Sequence, residues 1–177
     1  MLVKKYISIG AIVLIGLIAT VYSPFASAQT ATTVLKCTSV KANLTTLLGK
    51  VEASTKTQTT IYQEQQKNIE TLLTSSKTMS YDTTKLTSAR DSVKTKVTTY
   101  IDKASAYATT LTTAKNIDCS SDMTAMQAAL ATVRSSVAAV RTATTDARTA
   151  LRSEAIPAIK DYALWLKTNT TTTTENK

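Results

Sequence analysis

Histidine is absent from all 177 residues, and the chain has just three glycines, two prolines and two cysteines. Each shortage excludes something. Without histidine there is no Ser-His-Asp or Cys-His constellation, no His-ligated haem, and none of the common mixed zinc sites. After residue 28 the only glycine is Gly49 and the only proline Pro157. An all-β fold needs turn residues at short intervals, so that class is excluded as well. No glycine-rich phosphate loop is present, and the two cysteines, Cys37 and Cys119, lack CxxC spacing. Acidic residues are scattered, with no carboxylate pair at the spacing of a glycosidase or di-metal site. These absences predict a protein that is not an enzyme and carries no cofactor or metal.

The N-terminus has three parts in a telling order. Lys4 and Lys5 precede an apolar run from Ile7 to Val21, followed by Pro24 and the small residues Ala26-Ser27-Ala28. The run is shorter than the roughly 20 residues that span a bilayer, which predicts a signal peptide over 1–28, cleaved after Ala28. Cleavage would lower the formal charge from +9 to +7 and leave no transmembrane span. The expected location is periplasmic, secreted or at the cell surface. Two cysteines in such an oxidising compartment suggest a disulfide.

The apolar spacing is helical. One stripe runs Cys37, Val40, Leu44, Leu47, Val51, then Ile61, Ile69, Leu72 and Met79. A second runs Val93, Val97, Tyr100, Ala104, Tyr107, Leu111, Ala114, and a third Met126, Leu130, Val133, Val137, Val140, Thr144, Ala147, Leu151. Alternating steps of three and four place such residues on one seam, as in coiled coils and bundles. Asp82 or Thr83 can cap a new helix, Asn116 can end one, and Ser120 or Ser121 can begin the next. Helices are therefore expected at about 33–79, 83–116 and 121–168, with short links that make sequential helices antiparallel. The predicted fold is an all-α, elongated, up-down-up three-helix bundle over 29–168, with a kink or short extra helix at Pro157. The segment PAIKDYALWLK is expected to fold over the bundle near Met79 and Tyr81, and the Thr-rich tail 169–177 to be disordered.

This topology brings Cys37 and Cys119 to one end and predicts a disulfide between them. Closing a loop of about 80 residues would stabilise the fold by roughly 4 kcal/mol. The first seam is polar at Ser54, Gln58, Gln65 and Asn68, and the hydroxyls of Tyr100 and Tyr107 are expected to satisfy those groups. Threonine is abundant although each costs about half a kcal/mol against alanine in a helix. Thr95, Thr98, Thr99, Thr109, Thr112 and Thr113 fall on the outer face of the second helix, suited to self-association or to glycosylation.

Arg134, Arg141 and Arg148 repeat every seven residues, each next to a seam position. They are expected to lie beside the core, paired with Glu64, Glu70, Asp91 or Asp102, or to form an anion-binding stripe. With Trp165 they are the candidate partner-binding residues. The partner expected is a protein or an anionic envelope polymer rather than nucleic acid, which suits an exported chain with few aromatics poorly. Asn43 and Asn169 begin N-x-T sequons, acceptors only in a eukaryotic secretory pathway.

The early cysteine, long first helix, SYDTTKL restart and second cysteine opening the third helix make Cys37 through Trp165 resemble the loose class of small exported bacterial helical-bundle proteins. That resemblance implies an envelope or extracellular role and transfers no functional residue. The expected function is non-enzymatic partner binding; a periplasmic chaperone-like holdase and a self-associating structural surface protein are the alternatives.

Overall fold

The computed structural model describes residues 37–118 and 123–171. The expected signal segment 1–28, Cys119 and residues 172–177 lie outside the described residues. The fold is all-α: α1 (Cys37–Thr78), α2 (Thr84–Asn116), α3 (Met123–Ala150), a π-helical turn (Leu151–Ala155) and α4 (Ile156–Thr171), and no strand occurs among the described residues. Together these elements form the antiparallel three-helix bundle that the apolar spacing predicts, the third helix carrying an extra piece.

The described residues divide into two compact units, with the boundary crossing each long helix. One contains 37–60 and 98–144, the other 61–97 and 145–171. In the first unit the core is Leu44, Leu47 and Val51 of α1, Tyr100, Ala104, Tyr107, Leu111 and Ala114 of α2, and Met126, Val133, Val140 and Ala143 of α3. In the second it is Tyr62, Ile69, Leu72 and Leu73 of α1, Leu86, Ala89, Val93 and Val97 of α2, and Ala147, Ala150, Leu151, Ala155, Ala158 and Tyr162 further on. All seven expected α2 positions are buried. Within the second unit Lys96 pairs with Asp146 and Lys85 with Asp161. One number falls as the other rises, which is the register of antiparallel neighbours.

Two expectations on α1 are corrected. Ile61 is 38% exposed and Tyr62 is 1% exposed, so the tyrosine, not the isoleucine, joins the core. The steps 51, 55, 58, 62, 65, 69, 72, 76 continue the three-four rhythm without a break, and helix geometry follows that rhythm rather than the nearest aliphatic residue. Met79, placed on the stripe by its apolarity, is 46% exposed.

Many exposed threonines return their hydroxyl to the carbonyl one turn back, among them Thr45 to Lys41, Thr71 to Lys67, Thr95 to Asp91 and Thr112 to Ala108. The two buried polar side chains among the described residues do likewise: Ser76 donates to the Leu73 carbonyl and Thr144 to the Val140 carbonyl. A hydroxyl satisfied by its own helix can sit in a core or on a bare face without a tertiary partner. Thr95, Thr98, Thr99, Thr109, Thr112 and Thr113 are all exposed, as the seam predicts.

The α1–α2 link is fixed at both ends. The Tyr81 N–H donates to the Ser76 carbonyl and the Ser80 N–H to the Lys77 carbonyl, the paired bonds of a Schellman motif. Its left-handed position is held by Ser80 at φ 57° where glycine is usual. Asp82 then accepts from the Thr84 N–H at 2.9 Å and from the Thr84 hydroxyl at 2.6 Å. These bonds hold its carboxyl below the usual range. Ser80→Gly should stabilise the protein by about 0.5–1 kcal/mol, because relief of left-handed strain exceeds the extra backbone entropy of glycine. Thermal unfolding checks this; a lower midpoint would show that Ser80 is not strained.

Pro157 was expected to interrupt the third helix, and the interruption falls one turn earlier. Proline offers no N–H to the Ser153 carbonyl and its ring crowds that carbonyl. The chain widens over Leu151–Ala155, the Ile156 N–H reaching back to the Leu151 carbonyl, and resumes as α4 with Pro157 in its first turn, where proline is tolerated. The helix then continues to Thr171, past the expected start of the disordered tail at 169. The side chains of Asn169 and Thr168 both donate to the Trp165 carbonyl.

Candidate functional site

The four candidate contact residues are not equivalent. Arg134 and Arg141, in the first unit, are exposed on α3. Arg148, in the second, is half-buried and faces the hydroxyl of Tyr62 on α1. Burial pushes the Tyr62 phenol up, while the nearby charge of Arg148 acts in the opposite direction. Burial prevails because little solvent reaches the ring. Arg148 is thus a half-buried cation beside a phenol rather than a displayed one.

Two of the acidic residues expected to pair with the arginines, Asp91 and Glu70, lie beside Arg90 instead. Asp91 lies 2.7 Å from Arg90 on its own helix, a cation the heptad argument did not include. Glu70 lines a shallow polar groove of about 250 Å³ with Thr74, Lys77, Thr87 and Arg90.

Trp165 belongs to an aromatic cap over the α1–α2 link. Its ring centroid is 5.2 Å from that of Tyr81 and 6.3 Å from that of Tyr162, while Tyr81 and Tyr162 are 5.0 Å apart. The buried Tyr162 donates its hydroxyl to the Met79 sulfur at 3.6 Å. At the edge, Lys85 Nζ meets Asp161 at 2.7 Å, and that bond holds the ammonium pKa above its ordinary value. Burial, with the nearby Asp161 carboxylate, pushes the Tyr81 phenol up too. The segment after Pro157 therefore docks beside Met79 and Tyr81 as expected, and Trp165 is half-buried within the cap rather than wholly displayed.

The sequence pattern places Met79 on the first stripe and, with Tyr81, where this segment lands, and does not single out Tyr62. The available signal was Tyr62 itself, the one large side chain on the rhythm between Val51 and Ile69. Cys37 opens α1; Cys119 lies outside the described residues, and no disulfide occurs among the described ones. Among the described residues no cluster of His, Cys, Asp or Glu could hold a metal ion, and no helix is long and apolar enough to cross a membrane. Comparison with protein-family models, curated proteins and solved structures finds no match.

Proposed function

We propose that this chain is an exported, non-enzymatic binding module of the cell envelope whose partner is an anionic polymer or an acidic protein surface. The observation that carries the reading is the exposure of Arg134 and Arg141, two turns apart on one helix. Guanidinium groups so placed suit carboxylates and phosphates, which they engage through paired N–H donors. The formal excess of 21 basic over 12 acidic residues supports long-range attraction of such a partner. Export rests on the order of Lys4-Lys5, the apolar run and Ala26-Ser27-Ala28. In that compartment a Cys37–Cys119 bridge is part of the proposal, supported by an antiparallel course that returns α2 toward the start of α1; thiol titration of the denatured, unreduced protein should then find no free cysteine.

The test is retention on an immobilised anionic envelope polymer such as a teichoic acid. Wild type should elute at a salt concentration that rises with polymer charge, and R134Q/R141Q should elute markedly earlier with an unchanged unfolding transition. Equal elution of the two proteins would sink the assignment to these arginines. Arg148→Gln is unsuitable here, because its effect on the core would be confused with an effect on binding.

A further inference from the structure

The geometry points to Met79 as a peroxide-modification site whose oxidation loosens the docking of α4. Three observations converge on it. Met79 is 46% exposed, whereas Met126 is 1% exposed, so an oxidant reaches one sulfur and is excluded from the other. The accessible sulfur is also a structural contact, accepting the hydroxyl of the buried Tyr162 at 3.6 Å. Tyr162 in turn packs on Tyr81 and Trp165, so the sulfur borders the cap that fastens α4. This site is independent of the arginine reading.

The step balances with hydrogen peroxide as the named oxidant. A sulfur lone pair attacks one peroxide oxygen, the O–O bond breaks, the sulfur gains that oxygen and is oxidised by two electrons, and the other oxygen leaves as water after proton transfer. The product is a dipolar sulfoxide in place of a soft, polarisable thioether. Beside three rings the thioether is the better neighbour. The sulfoxide oxygen is drawn to solvent on the exposed side, and Tyr162 loses its sulfur acceptor. The Lys85–Asp161 pair at the edge is exposed, with side chains 72% and 43% accessible, and the π-turn before Ile156 already interrupts the regular bonding of the helix.

Trp165 is the single tryptophan of the chain and therefore reports on the cap without interference. The full chain is treated with dilute hydrogen peroxide while peptide masses, Trp165 emission and amide exchange over 156–171 are followed. Met79 should take up one oxygen at least about tenfold faster than Met126, as access dictates. Trp165 emission should change in step with it, and exchange in α4 should accelerate severalfold. Met79→Leu, which keeps the volume, should show neither response, and Met123→Leu, at a second exposed methionine, should respond like wild type. Full oxidation of Met79 with unchanged emission and exchange would overturn the proposal, as would the same response in Met79→Leu.

Discussion

Truncating Tyr62 to alanine should lower the free energy of unfolding by about 3–5 kcal/mol, the range for removing a large aromatic side chain from a core. The residue is 1% exposed and sits where α1 otherwise turns half-polar toward its neighbours, at Thr55, Gln58 and Gln65. No adjacent α1 side chain on that rhythm is large enough to fill the space it would leave. The truncation also strips Arg148 of the phenol it faces, leaving a half-buried guanidinium beside a cavity. Tyr62→Phe separates the two contributions, since it keeps the ring and removes only the hydroxyl. Its cost should be well below that of Tyr62→Ala, because the ring and its packing are kept.

The phenol also makes a pH signature. Its pKa is raised in the folded protein from an ordinary value of 10.0, so the folded state holds this proton more tightly than the unfolded chain. The associated stability is fully present below pH about 10 and is lost as pH rises toward the folded pKa. Tyr62→Phe should flatten that alkaline decline, as measured by urea unfolding at a series of pH values. A decline of equal steepness in the variant would mean that another group, such as Tyr81, governs it.

Tyr162→Ala is expected to have the second large effect, again about 3–5 kcal/mol if α4 unfolds with the rest of the protein. Tyr162 is 2% exposed and touches Tyr81, Trp165 and Met79 at once. The Lys85–Asp161 pair at the edge is exposed and screened by solvent, so the aromatic cap contributes more than this pair to holding α4 docked. If α4 opens by itself, the loss cannot exceed its own docking free energy, and the change appears locally instead. Trp165 emission would then move to longer wavelength and protease cleavage would appear around 151–157. Lys85→Ala should produce neither change at a comparable level. Unaltered emission, cleavage and global stability in Tyr162→Ala would contradict the assignment of α4 docking to the cap.

Much of this was legible in the residues alone. The scarcity of glycine and proline, and steps of three and four, define three helices whose bounds fall within a few residues of 37–78, 84–116 and, with the π-turn and α4 included, 123–171. The second helix reads without error because all its seam positions are apolar and evenly spaced. The first helix misleads in its middle, where polar residues occupy the seam. There the nearest aliphatic residue, Ile61, competes with the residue in phase, Tyr62, and packing selects phase. Asp82 announces its role because a carboxylate ahead of two threonines and a lysine can cap a helix locally. Ser80 gives no such notice, since glycine usually takes the left-handed position it holds.

What the sequence determined is whatever depends on neighbours along the chain: the periodicity, the capping carboxylate, the proline that disturbs a helix, the chemistries ruled out by missing residue types. Only the tertiary structure could divide three arginines of identical spacing into two displayed and one turned onto a phenol, or make Trp165 part of a cap closed by Met79. Spacing states which side of a helix a residue occupies, but what stands across from that side depends on a helix far away in sequence. Charge, exposure and reactivity are set by that distant neighbour, because burial and hydrogen bonding act through space.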